Sequence, residues 1–293
     1  MLESSGLEVG RDFFLAFSPE REDPGNPDFS TTTIPKVVGG VDPLSGELAA
    51  RLYELIVPSV VQVADARVAE AAKLTENIFR SVNIALVNEL KVLFDDMQID
   101  VREVLDAAAT KPFGFMRFEP GPGWGGHCIP VDPFYLSWKA REYGRTARFI
   151  ELAGEVNVEM PDWVISKLQL ALNERGLPVR GQKILVLGLA YKPNVSDPRE
   201  SPAFEVLSRL HTLGAEISYH DPHIAEAPAM RTWPDLPTLR SVELTAETLA
   251  EQTAVVIVTH HDAIDFSAVA RHAQLIVDTR GVFRDRRDNV VRA

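Results

Sequence analysis

The chain has 293 residues, 45% hydrophobic and 25% charged, with 18 Gly and 20 Pro, which excludes collagenous, low-complexity and disordered classes and leaves room for about two domains with real cores. A formal net charge of −12 argues against a broad nucleic-acid surface or an anionic membrane face, though a few converging Lys and Arg can still surround a phosphate. Cys128 is the only cysteine, so no intrachain disulfide is possible and no oxidising compartment is required.

The start, MLESSGLEVGRDFFLAF, is acidic with one short apolar run, unlike a signal or transit peptide. No apolar stretch approaches the roughly 20 residues of a transmembrane helix. A cytoplasmic protein is expected. Strands are predicted at Phe13 to Phe17, Lys36 to Gly40 and Val60 to Ala64, with a helix from Ser45 to Ile56. These read as the last units of an α/β sheet, and one helix on three strands leaves one sheet face uncovered.

From Ala69 to Met97 the apolar spacing of Leu74, Ile78, Val82, Leu86, Leu90, Leu93 and Met97 predicts one uninterrupted helix bridging two domains or subunits. A helix from Val101 to Thr110 follows, with Asp100 and Glu103 spaced as a capping box. Asp132 as N-cap and Pro133 as first helical residue open the next. More helix runs from Arg148 to Arg175, broken or restarted at Pro161. Strands at Lys183 to Leu189, Glu216 to His220, Val255 to Thr259 and Leu275 to Thr279, with helices at Ala203 to Leu213 and Phe266 to His272, predict a second doubly wound domain. Ligands of such sheets sit beyond the strands' carboxyl ends, here the loops opening at Gly188 and Asp278.

GPGWGGHCIPVDPFYL, Gly121 to Leu136, places Cys128 in a glycine-rich turn before a helix. A helix N-terminus favours thiolate, so Cys128 is placed to be a nucleophile. A lone cysteine also serves as a small buried hydrophobe, but a core filler does not call for glycines that admit close backbone approach to a ligand. Asp132 suits both capping and the activation of water. Lys73 and Asn77 project from one helix face, as a solvated pair or as donors to a developing oxyanion. Glu20, at a strand end in FSPERE, reads as an ion pair with Arg21 or as a catalytic carboxylate. Lys192 and Arg199, in GLAYKPNVSDPRESPAFEVL, share the sheet edge with Arg280, and each is a surface cation or a phosphate ligand. Asp221 reads as a ribose ligand or a turn residue. The GLAYKPNVSDPRESPAFEVL segment lacks G-x-G-x-x-G, and no stretch of the chain places a dinucleotide fingerprint between a predicted strand and the helix that follows it.

Together these residues resemble the nucleotide-sugar 6-dehydrogenases that include the UDP-glucose and GDP-mannose enzymes. FSPERE, KLTEN from Lys73 to Asn77, GGHCIPVD from Gly125 to Asp132, YKPNVSDPRESP from Tyr191 to Pro202 and DTRG from Asp278 to Gly281 match that family's motifs in its order. Val131, where the UDP-glucose enzymes typically carry Lys, resembles the branch acting on UDP-N-acetylhexosamines, UDP-N-acetylglucosamine first among them.

The resemblance implies an α/β chain with a remnant of an N-terminal Rossmann-type domain (1–65), a central long-helix dimerisation region (66–160) and a C-terminal Rossmann-like UDP-binding domain (161–293). It implies an NAD-dependent oxidation of C6 to the carboxylate, feeding polysaccharide biosynthesis, in a homodimer without metal, nucleic acid or membrane partners. Cys128 would form the thiohemiacetal and thioester, Lys73 and Asn77 would stabilise oxyanions, and Glu20 and Asp132 would serve proton transfer and hydrolysis. Lys192 and Arg280 match substrate-binding positions and Arg199 one that reaches NAD. In the family the βαβ unit with the dinucleotide fingerprint precedes FSPE, so the chain resembles a member lacking most of its NAD-binding domain and is expected not to reduce NAD alone. A non-catalytic UDP-sugar-binding dimerisation module is the alternative.

Overall fold

The structure, a computed structural model, describes residues 3–23, 25, 28–30 and 32–293. The chain divides into two compact units, 1–79 and 80–293.

The first unit is built on a three-stranded sheet in the order β1 (Ala16–Phe17), β2 (Lys36–Gly40), β3 (Val60–Val63). β2 and β3 run parallel with α1 (Pro43–Glu54) as crossover, as expected; β1 is only two residues long and antiparallel, so it closes an edge and does not extend a βαβ repeat. Asp42 caps α1, its carboxylate accepting from Leu44 N and Ser45 N at 3.0 Å each. One helix does not cover this sheet. Phe17 and Val61 stay exposed, and the outer side of α1 presents Leu44, Leu48, Leu52 and Leu55 to solvent.

α2 (Ala66–Asp96) is a single helix of 31 residues, and the division between units falls inside it. Its second half packs Val87, Leu90 and Phe94 on Val101 and Leu105 of α3 (Val101–Ala109), which Asp100 caps through Arg102 N. α4 (Asp132–Glu142) begins one residue earlier relative to its proline than the sequence suggests. Val131 is the N-cap and Asp132 the first helical residue, because Cys128 O accepts from both Val131 N and Asp132 N and so closes a turn ahead of the helix. α5 (Arg148–Asn173) runs unbroken through Pro161. The carbonyl that the missing proline N–H leaves behind is that of Asn157, and it lies 2.9 Å from where a Cβ on Gly123 would stand. The side-chain-free backbone of the glycine turn fills the notch.

Residues from Lys183 onward form a five-stranded, all-parallel sheet in the order β5 (Glu216–His220), β4 (Lys183–Leu187), β6 (Ala254–Ile257), β7 (Ile276–Asp278), β8 (Val290–Arg292). The central strands are apolar throughout because both faces are covered. Ile184 and Val186 point toward α5 and α6 (Pro202–Thr212), while Leu185 and Leu187 point toward α7 (Ala246–Glu251) and α8 (Phe266–His272). The chain leaves β4 to one side for β5 and returns to the other for β6, which makes the carboxyl ends of β4 and β6 the topological switch point.

Candidate active site

In the first unit, Glu20 is bound to Lys36, not to Arg21: Lys36 Nζ donates to Oε2 at 2.9 Å, and the amides of Arg21 and Glu22 donate to Oε1 at 2.7 and 2.9 Å. The Lys36 bond holds the Glu20 carboxyl below its ordinary pKa, although most of the side chain is exposed. Arg21 instead pairs with Glu76 at 2.7 Å. That ion pair ties the FSPERE segment to the turn of α2 between Lys73 and Asn77. Asn77 is fully buried and Lys73 half-buried, so the pair is not a solvated face.

In the second unit, Cys128 is half-buried, with His127 Nδ1 4.0 Å from its sulfur. The glycines before it serve the protein's own packing. A Cβ on Gly125 would stand 2.9 Å from Glu200 O and Tyr191 Cβ, and one on Gly126, whose φ is +89°, would stand 3.0 Å from the Tyr191 ring. Gly126 N donates to Arg199 O at 3.1 Å. The nucleophile turn and the YKPNVSDPRESP loop are therefore one packed assembly. Asp132, half-buried, is the first residue of α4 beside it.

The YKPNVSDPRESP loop leaves β4 at the switch point and is locked there from below. Thr259 Oγ1 donates to Ala190 O at 2.6 Å, and His261 Nδ1 accepts from Asn194 N at 3.0 Å. Asp221 is neither a ribose ligand nor a simple turn residue: its buried carboxylate accepts from Leu189 N, Ala190 N, His223 N and Ile224 N, and from His261 Nε2. No acceptor capacity remains for a ligand. Lys192 lies on the locked loop, half-buried, its ammonium 5.9 Å from the Tyr191 ring centre. Arg199 is exposed and forked onto Asp197, with Nε 2.9 Å from Oδ1 and Nη2 2.6 Å from Oδ2.

Arg280 follows β7 at the same sheet edge. Its Nε donates to Val258 O at 2.6 Å and its amide to Asp278 Oδ1 at 3.0 Å. Burial, then the neighbouring Arg102, lowers its pKa to about 10, which leaves it charged at neutral pH. Two further cations belong to this cluster. Arg102 is buried on α3 and donates to Thr279 O at 2.9 Å, and Lys91 is buried on α2 and donates to Gly121 O at 3.2 Å. Burial and the two guanidinium groups push the Lys91 ammonium well below its usual pKa. Neither cation is marked in the sequence, where Lys91 and Arg102 read as ordinary polar positions of helices; the apolar periodicity of α2 passes on both sides of Lys91 without including it.

Residues 67–159 match the central domain of the UDP-glucose/GDP-mannose dehydrogenase family, and residues 185–285 match its UDP binding domain. The chain belongs to this family. It is 41% identical over 218 residues to the protein CapL of Staphylococcus aureus, covering 74% of this chain and 51% of that one. To a UDP-N-acetyl-D-glucosamine 6-dehydrogenase of Pseudomonas aeruginosa it is 39% identical over 230 residues, covering 78% and 54%. A UDP-D-ManNAc dehydrogenase structure from Pyrococcus horikoshii superimposes with a TM-score of 0.86 at 29% identity, over 99% of this chain and 66% of that one. The chain thus spans about half the length of these two curated relatives.

Membership of this dehydrogenase family implies NAD, and the described residues do not build a cradle for it. A pyrophosphate needs free N–H groups at a helix N-terminus approached through open glycines. After β2 the space beside Gly39 is filled by Asp65 and Ala66 and that beside Gly40 by Asp42 and Gly46, and the amides at the start of α1 are taken by the Asp42 carboxylate, whose charge repels phosphate. After β4, Gly188 is closed off by Thr259.

Proposed function

We propose that this chain supplies the nucleophile and the UDP-sugar site for the oxidation of C6 of a UDP-N-acetylhexosamine, most closely UDP-N-acetylglucosamine, to the uronate. The names of the relatives support the sugar class, and one observation carries the site: the turn bearing Cys128 is packed, through Gly125 and Gly126, onto the loop bearing Lys192 and Arg199 at the switch point of a UDP-binding sheet.

NAD would supply the hydride acceptor for this oxidation. Cys128 Sγ adds to the C6 aldehyde carbon, first as the thiohemiacetal and then as the thioester. Lys73 and Asn77 donate to the oxyanion, and the burial of Asn77 suits a donor held in one orientation. Asp132 takes a proton from the water that releases the carboxylate, and Glu20 assists proton transfer. Lys192 and Arg280 hold the anionic part of the substrate; Arg199 would be the residue that approaches NAD. With no pyrophosphate cradle among its described residues, the 293-residue chain alone binds the sugar nucleotide without reducing NAD.

The division into 1–65, 66–160 and 161–293, a homodimer and a cytoplasmic site of action belong to the same proposal. Exposed Tyr135, Trp138, Phe149 and Leu152 on α4 and α5 offer an apolar surface to a second copy. Among the described residues no helix is long and apolar enough to cross a membrane. Calorimetric titration with UDP-N-acetylglucosamine tests the reading. Saturable binding is expected, weakened roughly 10- to 150-fold by Arg280→Ala because one charge-assisted contact is lost. Absence of binding by the parent chain contradicts it.

A further inference from the structure

Gly121 opens the glycine turn, and the side chains of Asn88, Lys91 and Arg280 meet on it. Its N–H donates to Asn88 Oδ1 at 2.9 Å, and its carbonyl accepts from Lys91 Nζ at 3.2 Å, so successive groups of one turn of α2 grip a single peptide. Asn88 is itself held: its Nδ2 donates to Asn157 Oδ1 at 2.8 Å, and Asn157 Nδ2 donates to Ala153 O at 2.9 Å within α5. All three side chains are buried, which fixes their rotamers and leaves this peptide no alternative partner in water.

The third of these side chains is that of Arg280. A Cβ placed on Gly121 would stand 2.9 Å from the Arg280 Cζ, with Nη1 nearer still. The guanidinium therefore lies in the space that any side chain at position 121 would occupy. Gly121 does not have a φ in the left-handed region, unlike Gly123 and Gly126 in the same turn. Its φ therefore does not call for glycine, and an alanine here would have to displace the Arg280 guanidinium.

We propose that Gly121 is a positioning residue that seats the Arg280 guanidinium against the turn leading to Cys128, with Asn88 and Lys91 fixing the seat. The inference rests on the reading that Arg280 takes the anionic part of a UDP-sugar, and it adds how that cation is aimed.

The experiment is a double-mutant cycle on the full chain with UDP as titrant. Gly121→Ala, Arg280→Ala and the double variant are compared by calorimetry, with thermal melts to establish that each folds. Gly121→Ala is expected to weaken UDP binding to the same extent as Arg280→Ala, roughly 10- to 150-fold, and the double variant to lose nothing more. Parent-like UDP affinity in Gly121→Ala, or losses that add in the double variant, overturns the proposal. If the parent chain itself does not bind UDP, the substrate reading fails, and the seat is then tested without ligand. Gly121→Ala and Arg280→Ala should change the alkylation rate of Cys128 by iodoacetamide by the same factor, non-additively. Parent alkylation rates in both variants overturn it.

Discussion

His261 Nε2 donates to Asp221 Oδ2 across 3.1 Å in a site where both side chains are wholly buried. Because His261 Nδ1 accepts the amide proton of Asn194, the imidazole proton must sit on Nε2, and the ring joins the loop after β4 to the Asp221 carboxylate at the end of β5. Desolvation alone would raise the Asp221 pKa, but the bonds from His261, Ala190 and His223 outweigh it and hold it at about 2, below the ordinary 3.8. A depressed carboxyl pKa stabilises the fold above the unfolded value and ceases to do so as pH falls through the folded one. Stability from this group, about 2 kcal/mol, is thus complete above pH ~4 and lost between there and pH ~2. In Asp221→Asn an amide donor faces backbone donors, and the cost is about 3 kcal/mol or more. Chemical denaturation of the parent and variant from pH 2 to 7 should show the gap closing only at the acid end.

Lys91 works in the opposite sense. Its folded-state pKa is lowered, so between that value and the ordinary 10.5 the unfolded chain binds more protons than the folded one, and this group's contribution becomes less unfavourable as pH rises. Lys91→Met should therefore raise the melting temperature at neutral pH, with the gain shrinking toward pH ~10.5. A loss of stability at neutral pH would show that the bond to Gly121 outweighs the burial of charge.

The exposed leucine row on α1 carries no stability of its own. Leu52→Gln with Leu55→Gln should change unfolding free energy by less than about 0.5 kcal/mol, while lowering the binding of a hydrophobic dye and the tendency to aggregate. An unchanged dye signal would place the sticky surface elsewhere.

Cys128→Ser, in a preparation that carries out the full oxidation, should leave at most a very slow second step, because a hydroxyl is a far weaker nucleophile than a thiolate. Product analysis after long incubation checks this, with undiminished uronate formation as the contrary result.

The 293-residue chain mixed with UDP-N-acetylglucosamine and NAD should give no steady NADH signal, since positioning of the reacting atoms supplies on the order of 7–11 kcal/mol and the described residues offer no pyrophosphate cradle. Turnover at ordinary enzyme rates would contradict the proposal.

Much of the architecture was legible in the sequence because period and caps agreed with packing. β2 and β5 fall where the apolar runs predict them, and α2 follows its heptad-like stripe for 31 residues. What escaped has tertiary causes. Pro161 lies inside α5 without ending it, and the carbonyl it frees faces Gly123 of the glycine turn, a neighbour that no local rule contains. α7 and β8, of six and three residues, are too short for any periodicity to register. The motif residues were visible by chemistry, whereas Asn88, Lys91, Asn157 and His261 act through neighbours distant in sequence. An asparagine on a helix gives no sign that it grips a glycine 33 residues away.

The most direct measurement of the central claim, that Cys128 stands beside a sugar held through Arg280, is the rate of Cys128 alkylation by iodoacetamide as UDP-N-acetylglucosamine is titrated in. The account predicts saturable protection that Arg280→Ala shifts to higher concentration by roughly 10- to 150-fold. An alkylation rate that saturating UDP-N-acetylglucosamine leaves unchanged would contradict it.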